Sequence, residues 1–186
     1  MAADLAAEAA GDVVLEDFIN IAAEMITMAF LEGNKVLSCG NGGSMADAMH
    51  FAEEFSGRYR QERKALPAMA IADAAHITCA GNDYGFAEIF ARGIEAWGRE
   101  GDILVGLTTS GNSANIIRAV EQAKTQNMKV ILLLGKDGGQ LAGKAELEYI
   151  AAGKTTDRIQ ELHMLILHII IETVERKLFP GNYREL

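Results

Sequence analysis

Apolar residues fall into two rhythms along this chain, and their alternation sets the reading of the fold. Short, nearly unbroken apolar runs occur at Val36-Leu37-Ser38-Cys39, Leu66 to Ala72, Asp102 to Thr108, Lys129 to Gly135 and, more weakly, Leu147 to Ala151. Runs of this length, apolar at consecutive positions, predict strands buried on both faces. Pro67 suits the start of the second, where no ladder N–H is required. Between the runs the spacing changes to that of helices. Val14 to Leu31 carries Leu15, Phe18, Ile19, Ala22, Ile26, Ala29 and Phe30, and ends at Glu32-Gly33-Asn34. Helical spacing returns over Ala46 to Phe55, in the stripe from Phe86 to Trp97 (with Ile89, Phe90, Gly93 and Ile94), and around Ile116, Ile117, Val120 and Ala123. A last long helix is expected from Asp157 to Leu178, stopped by Pro180-Gly181. Arg58 to Lys64 reads as a charged connector and Asp73 to Gly85 as irregular, because Gly81-Asn82-Asp83-Tyr84-Gly85 is a strong loop signal. Gly138-Gly139 marks another loop, and the Ala-rich segment before Gly11 stays open between a helix and a frayed end.

Strands alternating with helices predict an α/β fold whose parallel sheet is covered on both sides. Ligands in such sheets sit at the carboxyl ends of the strands. Two polar turns, Gly40-Asn41-Gly42-Gly43-Ser44 and Thr109-Ser110-Gly111-Asn112-Ser113, each follow a strand and precede a helix, so both belong on that rim. Free N–H groups, the positive end of a helix dipole and closely approachable glycine backbone make such turns fit for an anion. The hydroxyls of Thr108 to Ser113 also suit ordinary N-capping. The second Gly-Ser turn on the same rim favours a phosphate-bearing ligand with several hydroxyls.

Composition narrows the classes. A chain of 186 residues forms one domain, with or without a helical extension. Its formal net charge of -9 argues against binding nucleic acid through phosphates and against docking on anionic lipid. Cys39 and Cys79 fit no metal spacing or disulfide framework and are expected as small core residues in a reducing compartment. The acidic Met1-Ala2-Ala3-Asp4-Leu5 is unlike a secretory signal, and Leu162 to Ile171 is too short to span a bilayer, so a cytoplasmic location is expected.

His50 and Glu54 are four apart and share a helix face that begins at the rim, which fits proton transfer or metal binding as well as a surface pair. Gln160 and His168 are eight apart on the last helix and can look toward one pocket. The alternatives there are a capping box between Asp157 and Gln160 and a core histidine at His168. His163 and His76 are assigned to structure.

The segments CGNGGSMADAMHFAEEFSGRY, GNDYGF, TTSGNSANII, GKDGG and DRIQELHMLILH, in this order and spacing, closely resemble the bacterial sedoheptulose 7-phosphate isomerases (phosphoheptose isomerases) of the sugar-isomerase (SIS) domain superfamily. The resemblance covers nearly all of Gly33 to Phe179. It implies a five-stranded parallel, flavodoxin-like sheet flanked by helices over residues 35–179. An N-terminal helical segment, residues 1–34, would pack on the domain and on subunit interfaces, and residues 180–186 would form a tail. It also implies a homotetramer with active sites shared between subunits. The reaction implied is D-sedoheptulose 7-phosphate to D-glycero-D-manno-heptose 7-phosphate, towards activated heptose for lipopolysaccharide core or other surface glycans.

Carried over by position, Asn41, Gly42, Gly43, Ser44, Asn82, Asp83, Thr108, Thr109, Ser110 and Ser113 contact the substrate, with Glu54, Arg58, Asp157 and Gln160 at or near the site. His50, Glu54, Gln160 and His168 match a zinc-binding set, one ion per subunit, and Glu54 and His168 match the acid–base pair. Thr108 stands where many relatives have serine, which preserves the hydroxyl. A rival in the same superfamily is the non-catalytic tetrameric partner of the bacterial replication initiator, which lacks the His and Glu of the first motif helix and the second His of the last. An isomerase or binding domain for another phosphosugar is the third reading.

Overall fold

Side chains alternate across a strand, and here both alternate sets are apolar. The structure, a computed structural model, describes residues 11–183. The Ala-rich segment before Gly11 and the last three residues of the tail lie outside the described residues. Five strands, β1 (Val36–Gly40), β2 (Ala68–Ala70), β3 (Ile103–Thr108), β4 (Lys129–Gly135) and β5 (Leu147–Ala151), form one all-parallel sheet in the order β2-β1-β3-β4-β5. Among the described residues six α-helices cover it: α1 (Val13–Leu31), α2 (Gly43–Ser56), α3 (Ala74–Tyr84), α4 (Ile89–Trp97), α5 (Ala114–Thr125) and α6 (Thr156–Leu178). Val36, Ile103, Val105, Leu107, Ile131 and Leu133 face α1, α2 and α6. Their strand neighbours Leu37, Cys39, Leu104, Val130, Leu132 and Leu134 face α3, α4 and α5. Burying each large aliphatic side chain stabilises by roughly 1.5–3 kcal/mol, against about 0–1 for a surface ion pair. The two apolar layers therefore hold the rim. No helix among the described residues is long and apolar enough to cross a membrane.

Five expectations need correction. β2 is only three residues long, because Leu66 donates its N–H to the Phe55 carbonyl and the chain turns away after Ile71. The segment read as irregular is α3: Asp73 caps it by accepting the N–H of His76 at 2.8 Å, and Gly81 to Tyr84 are its last turn. Ala80 is its one buried residue, so there was no apolar stripe to read. Phe86 and Trp97, expected on the inward stripe, are 64% and 57% exposed, and α4 buries Ile89, Phe90, Ala91, Gly93 and Ile94. Cys39 is buried, which pushes its thiol up to about 12, whereas Cys79 is exposed and donates to Asp83 Oδ2. α2 also starts three residues earlier than its apolar spacing suggested, taking Gly43 to Met45 into the first turn.

One buried cation fixes α2 against α6. Arg63, in the connector after α2, pairs with Glu175 of α6 at 2.6 Å, both side chains being about 1% exposed. Its other nitrogens donate to the carbonyls of Glu54, Phe55 and Gly57, closing the end of α2.

Candidate functional site

β1 and β3 are neighbours although β2 lies between them in sequence, so the crossovers leave them in opposite directions and open a crevice at their carboxyl ends. The two polar turns meet there. Asn41 and Asn115 exchange two side-chain hydrogen bonds of 2.8 Å, which tie the first turn to the second. A cleft of about 80 Å³ is lined by Asn41, Ser44, Thr108, Thr109, Ser113 and Gln160, with Leu107 and Thr156. α2, α5 and α6 all begin at this cleft, and the residues before them, Gly42, Ser113 and Thr155, make no side-chain capping bond. Three helix N-termini without side-chain caps thus gather at one small polar space, which is an environment for an anion. Ser113 Oγ instead lies 3.3 Å from Thr108 Oγ1, so simple N-capping is not its role. Gly111 (φ +64) packs so closely on the loop after β4 that a Cβ would lie 1.7 Å from the Gly138 carbonyl oxygen.

Further along the same two helices lies a second cluster. α2 and α6 run side by side in one direction: Gln160 meets Ser44 (3.3 Å), and two turns later His168 meets His50. His50 Nε2 is 3.2 Å from Glu54 Oε1, and ligand atoms of His50, Glu54 and His168 all lie within 4.8 Å of one another. The His50 and His168 rings meet edge to face at 5.0 Å, and Tyr59 stacks on His168 at 6.0 Å. Burial lowers the pKa of His168, the charges of His50 and Arg60 add to this, and Glu54 opposes it. Asp47, one turn before His50, is pushed up to about 6 by burial, with His50 opposing, and its Oδ2 is buried without a partner. Two imidazoles and a carboxylate converging this closely fit a divalent metal ion.

The sequence-derived residues distribute unevenly. His50, Glu54 and His168 come together, as do Asn41, Ser44, Thr108, Thr109, Ser113 and Gln160. Gln160 sits at the cleft, about 12 Å of helix rise from His168, where Gly43 leaves room for it: a Cβ there would lie 2.6 Å from Gln160 Oε1. It makes no capping box with Asp157, whose carboxylate is exposed, pairs with Arg158 at 3.1 Å and has its pKa lowered chiefly by a hydrogen bond to Thr155. Gly42 and Ser110 shape the two turns, Ser110 Oγ accepting the N–H of Asn112 at 3.2 Å. Arg58 is exposed just beyond α2. Asn82 and Asp83 lie exposed on the last turn of α3, bonded to each other at 2.7 Å and outside the cleft lining. Sequence reasoning missed Asn115, Thr156 and Tyr59. Asn115 and Thr156 had a usable signal, since each stands in the first turn of a helix that begins at the rim.

Comparison with known proteins agrees with this geometry. Residues 6–135 match the SIS domain model. The chain is similar to the phosphoheptose isomerase of Fusobacterium nucleatum, 61% identical over 163 residues, covering 88% of this chain and 84% of that protein. It is 53% identical over 170 residues to that of Escherichia coli K12, covering 88% of each. A solved phosphoheptose isomerase from Francisella tularensis superposes with a TM-score of 0.89 at 39% identity, over 94% of this chain and 93% of that one.

Proposed function

Because the chain belongs to the SIS-domain family and, within it, to the phosphoheptose isomerases, we propose that it converts D-sedoheptulose 7-phosphate to D-glycero-D-manno-heptose 7-phosphate through a cis-enediol. The observation that carries this reading is the convergence of His50, Glu54 and His168 along the α2–α6 seam from an anion-friendly rim cleft. The phosphate is held at the cleft by the hydroxyls of Ser44, Thr108, Thr109 and Ser113 and by the uncapped N–H groups of α2, α5 and α6. About 9 Å of helix rise separates Ser44 from His50, a span that favours a long sugar phosphate over a triose phosphate.

At the reacting end Glu54 takes a proton from C1 while His168 gives one to O2, and the enediol forms. Glu54 then returns its proton to C2 on the same face, and His168 receives the proton of O1 as the aldehyde forms. Zinc held by His50, Glu54 and His168 would polarise the substrate's oxygens and stabilise their negative charge. Gln160 acts as a substrate contact within its own protomer.

Assembly as a homotetramer with shared sites is part of the proposal. Val14, Ile21 and Met28, seven apart on α1, and Leu165 and Ile169 on α6 are all exposed apolar residues, which supports burial against further copies. A neighbour is then the source of Asn82 and Asp83. The product would supply activated heptose for lipopolysaccharide core or other surface glycans in the cytoplasm.

The test is conversion of sedoheptulose 7-phosphate followed by NMR, with metal analysis before and after chelation. Aldose formation, about one zinc per chain and loss of turnover on chelation are expected. Failure of the zinc-loaded protein to form aldose would overturn the reading.

A further inference from the structure

A ligating or proton-carrying histidine is ordinarily oriented by a hydrogen bond from its other ring nitrogen. Among the described residues no hydrogen bond holds His168. Two ring contacts fix its plane: the edge-to-face meeting with His50, and Tyr59 stacked on it with 25° between the rings. The connector that supplies Tyr59 has no helix or strand, and between Gly57 and Lys64 only Tyr59 and Arg63 turn inward. Arg63 is anchored by Glu175 and by the carbonyls at the end of α2. Tyr59 is backed in turn by Arg60, whose guanidinium carbon lies 5.3 Å from its ring centre. Arg60 is held by Glu172, one turn beyond His168 on α6, at 2.8 Å. Imidazole, phenol ring and guanidinium are thus fastened at both ends to the same helix.

We propose that Tyr59 is the positioning residue of His168, its ring face holding the imidazole in the plane where it meets His50 and Glu54. The Tyr59 hydroxyl is not required for this, whereas the flat face is. The role concerns the site's geometry, and only its kinetic consequence rests on the isomerase reading.

The test compares Tyr59→Phe and Tyr59→Leu, with Tyr59→Met as a space-filling alternative should the leucine variant not fold. Zinc affinity of the metal-free protein is measured by competition with a chelating dye, and kcat and KM for the ketose are measured separately. Loss of the ring is expected to weaken zinc binding by about 10–100-fold and to lower kcat by a similar factor. KM should change little, because the phosphate cleft is untouched, and Tyr59→Phe should match the parent. Parent-like zinc affinity and kcat in a folded Tyr59→Leu or Tyr59→Met protein would overturn the proposal. So would a Tyr59→Phe variant that falls as far as they do. The zinc measurement needs no sugar, so weakened binding in a protein that never isomerises the ketose would sink the proposed function and leave this inference standing.

Discussion

Two histidines five residues apart on α6 have opposite environments. His163 is fully buried, its Nε2–H donates to the Leu134 carbonyl at 2.8 Å, and burial pushes its pKa down to about 4. The unfolded chain protonates this imidazole near 6.5, so between 6.5 and 4 the unfolded state binds more protons and stability falls as the pH drops. Across that window the loss should reach about 3 kcal/mol, and thermal unfolding of His163→Met should show a flatter profile. His168 instead faces His50 and Glu54. Spacing alone put His50 and Glu54 on one face, but their meeting with His168 crosses more than 110 residues and was visible only through resemblance. Tyr59 left no trace in the pattern, because its partner is set by how the connector folds back. At the cleft, Gly43→Ala should push Gln160 off Ser44 and raise KM several-fold with little change in kcat, the pattern of a lost ground-state contact.

At the scale of elements, continuous aliphatic runs and long helical stripes were legible because burial on both sheet faces demands them. α3 was not legible, since it buries only Ala80 and its Gly-Asn-Asp run signals a loop, whereas in the molecule Asp73 caps it and His76 Nε2–H donates to the Ile89 carbonyl at 2.9 Å. Asp73→Ala should cost about 1 kcal/mol, seen as faster amide exchange confined to α3. Gly111→Ala should do more damage, roughly 3 kcal/mol, because the positive φ and the Gly138 carbonyl leave no room for a methyl group. Its signature would be lost phosphate-ester binding together with a lower melting temperature.

For the whole molecule, the decisive relation is the parallel seating of α2 and α6, which carries the cleft at one end and the His–Glu cluster two turns on. Arg63 and Glu175 clamp that seam from the far side. Removing one partner strands a buried charge, so Arg63→Met should destabilise by roughly 3–5 kcal/mol. Adding Glu175→Met should recover part of the loss in denaturant unfolding. In the proposed reaction this seam delivers Glu54 to the sugar carbon and His168 to its oxygens. This is tested most directly by following sedoheptulose 7-phosphate in ²H₂O by NMR with the parent, Glu54→Gln and His168→Gln proteins. Aldose from the parent and a fall of about 10²–10⁴-fold in each variant are expected, and near-parental turnover in either variant would overturn the assignment of that residue.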